Sequence, residues 1–233
     1  MNKNSYFTIA QLKWIGIVTM LIDHVGAVLI EPLLIEQGIN FSGPLSQSPL
    51  FVVYIAFRLI GRLAFPLFAF GISQGILHTH SLPKYALRMG IFAIATEPFF
   101  NLAISKTIFF PYYQNVMFTF FIAIVTIYLF QVLERTKIGN WIVLVLGFLV
   151  AHYFQTDYSW MGVLMVFCFW YFNKNSLLRN ITTGLLMILQ ATAILSILLI
   201  DRYNHEKGTE NKFFFYVFYP LHLFILYLIA TVI

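Results

Sequence analysis

Three ionisable side chains stand inside one apolar run near the start of the chain. Residues 11–29 read QLKWIGIVTMLIDHVGAVL and carry Lys13, Asp23 and His24. From Lys13 to His24 is eleven residues. In a helix of 3.6 residues per turn that is close to three turns, which puts both on nearly the same face, about 16 Å apart along the axis. A neutral imidazole accepts a proton at working pH, so His24 is the candidate base. Asp23 is offset from it by about 100° of rotation and is the better partner for a cation on another helix. Lys13 has a plain alternative, a lysine whose head reaches the aqueous surface from the end of a membrane helix.

Other apolar runs carry polar groups of the same kind. Arg58 and Arg62 are four apart and share a helix face. Glu97 is followed by Pro98 and, four residues on, by Asn101. Asn115 follows Gln114 at the head of another run, Asp157 and His152 stand at a break, and His222 follows Pro220 near the end. Each such group costs at least ~2.5 kcal/mol at mid-membrane. On the topology below, five segments bring polar groups to a similar depth. An ion pair of Arg58 or Arg62 with Glu97 or Asp23 would serve equally as helix glue. Two arginines, two acids and two histidines at one level go beyond what such glue requires, because buried pairs add little net stability. His222 reads equally as an interhelical hydrogen-bonding group, while His78, His80 and His205 read as solvated loop residues.

The elements that must position these groups are membrane helices. Hydrophobic residues make up 60% of the chain and charged ones 10%, with a mean hydropathy of +0.83. A soluble domain of this size carries roughly a quarter charged residues. Spans are expected near 10–30, 51–77, 84–104, 115–133, 140–154, 158–173, 178–200 and 213–232. The fifth and sixth are short, and AHYFQTDY at 151–158 separates them, so one long broken helix is the alternative. Trp14, Tyr112, Tyr113, Trp141, Tyr153, Tyr158 and Trp160 fall at proposed ends, as interfacial belts do. The expected fold is all-α: a single polytopic bundle over 1–233 of about eight transmembrane helices.

Cation placement suggests both termini are cytoplasmic, with Lys3, Lys84, Arg88, Arg135, Lys137, Lys174 and Arg179 inside. Lys106, Arg202, Lys207 and Lys212 would then lie outside, the last three among Asp201, Glu206 and Glu210. The formal charge of +5 is dispersed between apolar runs and does not indicate nucleic acid. Cys168, the single cysteine, lies in an apolar run and reads as a small core residue. The N-terminal apolar run is too long for a cleavable signal peptide and holds Asp23 and His24. No Gly-rich phosphate loop, GxSxG, HExxH or HxxxxD occurs, and the histidines lack metal-ligand spacing.

Six segments resemble the TraX family, named for an F-pilin acetylation protein. They are LKWIGIVTMLIDHVG, FRLIGRLAFPLFAFGISQG, the run Glu97 to Asn101 (EPFFN), the run Asn115 to Thr119 (NVMFT), the run Asp157 to Gly162 (DYSWMG) and FYVFYPLHLFILYL. They occur in order over nearly the whole chain. That family in turn resembles the acyltransferase-3 group of membrane acyltransferases, whose first helix carries a cation, ten residues and a histidine. Lys13 and His24 match this spacing.

The resemblance implies a membrane acetyltransferase of a bacterial cytoplasmic membrane, with acetyl-CoA as donor and no metal. It implies catalysis at His24 and donor binding at Lys13. Arg58 or Arg62 would then stabilise the developing oxyanion, with Asp23 in the same centre, and Glu97, Asn101, Asn115, Asp157 and His222 in supporting or substrate-binding places. The extracytoplasmic acceptor is a pilin or peptide amine, a glycan hydroxyl or a lipid. A different class also fits the same side chains: a proton-coupled transporter using Asp23, His24, Glu97 and His222 as a relay, with prolines interrupting its helices.

Overall fold

The computed structural model describes residues 6–39, 41, 48–136, 138–209 and 211–232. Lys3, Lys137 and Glu210, which entered the topology reading, lie outside the described residues, as do residues 40 and 42–47 between the first two expected spans. The described residues fold as helices and turns. Their contacts divide the chain into two compact units, Met1–Leu67 with Phe99–Lys106 and Met187–Ile233, and Phe68–Pro98 with Thr107–Leu186.

In the first unit, α1 (Ile9–Val25) begins at a capping box. Gln11 N–H donates to Thr8 Oγ1 at 3.3 Å, and Thr8 N–H donates to Gln11 Oε1 at 2.9 Å. The helix passes into a π-helical turn (Gly26–Ile30) and then α2 (Glu31–Glu36). Pro32 explains the wide turn. It has no N–H for the Val28 carbonyl, and the ladder relaxes to the five-residue bond from Glu31 N–H to Gly26 O.

The expected helix over 51–77 is two helices, α3 (Pro49–Gly61) and α4 (Ala64–His78). The break falls at Arg62 and Leu63, whose N–H groups turn back to Leu59 and Ile60. Pro66 is the cause: it cannot donate to the Arg62 carbonyl and its ring crowds that carbonyl. After α5 (Leu82–Ser105), the second unit holds α6 (Val116–Val132), α7 (Gly139–Tyr153) and α8 (Ser159–Tyr171). These three pack together around Phe130, Trp141 and Phe167. The turn between α7 and α8 has left-handed Gln155, Tyr158 and Ser159, so these are separate helices and the single broken one is excluded.

The expected span over 178–200 is also interrupted. It comprises α9 (Ser176–Met187), a 3-10 stretch (Ile188–Leu195) with non-helical Gln190 and Ala191, and α10 (Ser196–Ile200). The last helix, α11 (Lys212–Ala230), is continuous through Pro220. Four stretches are long and apolar enough to cross a membrane: Ile9–Glu36, Pro49–His78, Leu82–Ser105 and Phe213–Ala230. At 17, 15 and 13 residues, α6 to α8 reach about 20 to 26 Å, short of a ~30 Å hydrocarbon core.

The expectation that both termini lie on one side is not confirmed, and contacts within the first unit run against it. Trp14 packs on Phe214 and Phe215, while ten residues further along α1, His24 meets His222. The two helices therefore run in the same direction. The segment before α11, expected at the outer face, pairs with the N-terminal segment. Phe7 bridges Tyr203, and Ile9 and Ala10 N–H donate to Glu206 and Lys207 carbonyls. Gly208, at φ +71, leaves room for the cap, since a Cβ there would stand 2.4 Å from Thr8 Oγ1. An even number of crossings cannot be kept with α1 and α11 parallel. In intact cells, a membrane-impermeant maleimide should label only one of Lys207→Cys and Thr231→Cys, with both labelling after permeabilisation. Labelling of both in intact cells would refute the parallel arrangement.

Candidate active site

Asp23 and His24 are adjacent on α1 and are engaged by different helices. Asp23 faces α3, where Arg58 Nη1 donates to its Oδ2 at 2.9 Å and reaches its carbonyl at 3.5 Å. The pairing of Asp23 with an arginine, expected from its angular offset, is thus made by Arg58. Both partners are about a quarter to a fifth exposed. Arg62 lies within electrostatic range of the same carboxylate, although the break after α3 takes it off the regular helix. Asp23 Oδ1 is buried without a hydrogen-bond partner among the described residues. It is pressed against Gly61, where a Cβ would stand 2.2 Å from it.

One further contact joins the same two helices. Tyr54 O–H donates to Glu31 Oε2 at 2.8 Å. Asp23 and Glu31 are eight residues apart, which in a regular α-helix puts them about 80° out of phase. The π-helical turn absorbs one extra residue and returns Glu31 to the α3 side. Tyr54 stands one turn before Arg58, so a four-residue spacing on α3 meets both acids.

His24 faces α11. Its Nδ1 lies 2.7 Å from His222 Nε2, with the rings stacked at 5.0 Å. His222 Nδ1 lies 2.8 Å from the Phe218 carbonyl, and the Phe218 ring stacks on it at 4.8 Å. The carbonyl that Pro220 deprives of a donor is Tyr216's, so the ring engages a different carbonyl, that of Phe218. These contacts fix the tautomers. A carbonyl only accepts, so His222 Nδ1 carries its proton. In the neutral ring Nε2 is then an acceptor, and the 2.7 Å contact requires His24 Nδ1–H to donate to it. Neutral His24 is left with an unprotonated Nε2. His222 is buried at 4% exposure and His24 is part-buried.

Lys13 and His24 both meet α11, as their shared face requires. Lys13 Nζ lies 5.7 Å from the centre of the Phe215 ring. Asn101 is buried at 1% exposure in the end of α5 that belongs to this unit, where Phe99 packs on Phe224.

The remaining expected site residues belong to the second unit. Asn115 caps α6, accepting from Met117 N–H at 2.9 Å. Its Nδ2 donates to Glu97 Oε2 at 2.6 Å and to the Ala93 carbonyl at 2.9 Å. Asp157 accepts from Tyr113 O–H at 2.8 Å, and its carbonyl accepts from Thr119 Oγ1. Glu97 with Asn115, and Asp157 with Tyr113 and Thr119, thus tie loops and helix ends within that unit.

Sequence reasoning did not single out Glu31, Tyr54, Gly61 or Phe218. A signal existed for Tyr54, an aromatic hydroxyl four residues before Arg58. None existed for Gly61, whose role is to be absent where Asp23 needs room.

The fold and this centre define an all-helical protein with membrane-crossing helices that hold an ion pair and a histidine dyad among apolar side chains. The TraX protein family model matches residues 8–230, and the chain belongs to that family. It is also 24% identical to the probable fimbrial assembly protein FimC, serogroup H1, of Dichelobacter nodosus, over 97% of each chain. No solved structure matches.

Gly61→Ala should force Asp23 aside and lower stability by about 1–3 kcal/mol, as overpacking does. Gly26→Ala should do less, because its Cβ would meet Phe57 Cβ at 3.3 Å. Thermal unfolding in detergent reads the difference, and a Gly61→Ala protein melting like wild type would show that the close approach is not required.

Proposed function

We propose that this protein is a membrane acyltransferase that moves an acetyl group from acetyl-CoA to an amine or hydroxyl acceptor outside the cytoplasm, in a bacterial cytoplasmic membrane. The observation that carries the reading is the His24–His222 dyad, which leaves His24 Nε2 as an oriented, unprotonated base. Membership of a family named for pilin acetylation supports the reaction class, and the relative named for fimbrial assembly supports a pilin or peptide amine as acceptor.

In this reading the acceptor nitrogen or oxygen attacks the thioester carbonyl while His24 Nε2 takes its proton. The imidazolium that forms is held through Nδ1–H by His222. As the tetrahedral intermediate collapses, the carbon–sulfur bond breaks, and His24 returns the proton to the leaving thiolate. Arg58 uses Nη1 for Asp23, so its Nη2 and Nε remain to donate to the oxyanion, with Arg62 nearby. Lys13, on the same face as His24 and about 16 Å away, is placed to meet donor phosphates. In the second unit, Glu97, Asn115 and Asp157 tie helix ends and loops together.

The test is acetyl-CoA binding to purified wild type beside Lys13→Ala and His24→Ala. Saturable binding that weakens in Lys13→Ala and survives in His24→Ala supports the reading. Absence of binding to folded wild type would transfer the dyad to the other function its 2.7 Å contact suits, a proton relay in a transporter.

CoA release with a peptide amine as acceptor tests the roles. His24→Ala should slow turnover by about 10²–10⁴-fold, the range of a general base. His222→Phe should lower kcat while leaving the donor Kd unchanged. His222→Gln, whose amide oxygen can accept from His24 Nδ1–H, should recover part of the loss. Equal loss in Phe and Gln variants that both fold would remove the orienting role from His222.

A further inference from the structure

The break at Gln190 and Ala191 is not explained by the dyad or the ion pair. It lies in the apolar run ILQATAIL, without the glycine or proline that usually interrupts a helix. Ala191 has φ 49 and ψ −110, a left-handed φ that a non-glycine residue adopts at a cost. Gln190 Oε1 is buried and has no hydrogen-bond partner among the described residues. Backbone that leaves the helix at membrane depth persists only where protein or a polar cavity satisfies it.

A second helix end fixes the depth of this break. Thr192 Oγ1 donates to the carbonyl of Leu59, the neighbour of Arg58. That carbonyl is exposed to a side-chain donor because Leu63 N–H turns back to Ile60 instead of bonding four residues away. Two interrupted helices thus meet at the level of the Arg58–Asp23 pair. From Thr192 the chain runs to Tyr203, which bridges Phe7 at the end of the unit where α1 begins and Arg202 and Lys207 stand among Asp201 and Glu206. One segment therefore connects the depth of the ion pair with the end of the unit from which Lys13 rises on α1.

The geometry points to Gln190 as a donor-binding residue: its Oε1 accepts from the amide N–H of the pantetheine arm of acyl-CoA. This rests on the acyltransferase reading above. The chemistry of the donor fits the placement. Its nearest amide N–H stands two methylenes from the thioester sulfur, so a thioester at the dyad brings that amide to the same depth. The phosphates at the other end of the arm then point along the segment toward the end of the unit where α1 begins and Lys13 stands. A buried acceptor without a partner favours a ligand that supplies N–H.

The experiment compares competition against acetyl-CoA by two small thioesters, S-acetyl-N-acetylcysteamine, which carries the amide, and ethyl thioacetate, which does not. Gln190→Met should bind acetyl-CoA and the amide-bearing thioester about tenfold more weakly, the loss of one buried hydrogen bond. Its competition by ethyl thioacetate should be unchanged. Gln190→Glu keeps an oxygen at the same position and should retain the preference for the amide, which serves if the Met variant does not fold. Equal weakening toward both thioesters, or no weakening at all in a folded variant, would overturn the role of Gln190 while leaving the transferase reading in place. No acetyl-CoA binding by wild type would overturn both.

Discussion

Polar side chains in an apolar bundle have to be satisfied by other side chains, and α1 carries two in succession. Asp23 and His24 point about 100° apart, so no single neighbouring helix can serve both. Asp23 is answered by α3 through Arg58 and His24 by α11 through His222. Much of the first unit follows from that division. α3 must come close enough for Arg58 to reach, which is why Gly61 stands against the Asp23 carboxylate. α11 must lie parallel to α1 to bring His222 up beside His24 while Phe214 and Phe215 meet Trp14 and Lys13 below. The π-helical turn then restores Glu31 to the face that Asp23 set, where Tyr54 receives it.

The breaks in the helices have causes of two kinds. At Val28 and at Arg62 a proline four residues on removes the donor and crowds the carbonyl, and the chain answers with a wide turn or a stop. At Gln190 and Ala191 no proline is present. There the departure from the helix goes with tertiary contacts, among them Thr192 with the carbonyl of Leu59, which also accepts from Arg62 N–H at the end of α3. The proline-driven break at Arg62 supplies the carbonyl that the second break uses, so one local rule of sequence underlies both.

The sequence exposed the polar inventory and hid the topology. The offset of Asp23 from His24 and the eleven-residue spacing to Lys13 were legible because helical rotation is fixed. The ends of α5, α6, α8 and α11 were legible within a few residues because turn-forming and capping residues mark them. Hydropathy could not show that the run over 178–200 is interrupted, since Ala191 adopts its left-handed φ under tertiary constraint. Nor could cation counting place Arg202 and Lys207, because the acids interleaved with them masked the bias and the count assumed a full crossing just before. The polar groups of Glu97, Asn115 and Asp157 looked like part of one centre. In the structure they cap α6 and close loops of the second unit, contacts that spacing alone does not foretell.

The charge arrangement gives the dyad its chemical character. Asp23 carries the negative charge of this region and Arg58 balances it, so the histidines meet without a carboxylate between them. A carboxylate in the place of His222 would hold the orienting hydrogen bond but would add a charge that the apolar bundle would have to neutralise. The imidazole of His222 accepts the same bond while uncharged, and its own orientation is set by the Phe218 carbonyl and the stacked Phe218 ring. The result is an imidazole oriented by neutral groups, with Arg58 on the neighbouring helix engaged with Asp23 through Nη1. In the proposed reaction, charge would appear at the dyad only when a proton arrives from a substrate, as the oxyanion assigned to the remaining Arg58 N–H groups develops. Adjacent residues 23 and 24 on one helix turn keep the permanent ion pair on the α3 side and the dyad on the α11 side, and on the proposed reading that separation is what would let a charged reaction proceed among apolar side chains.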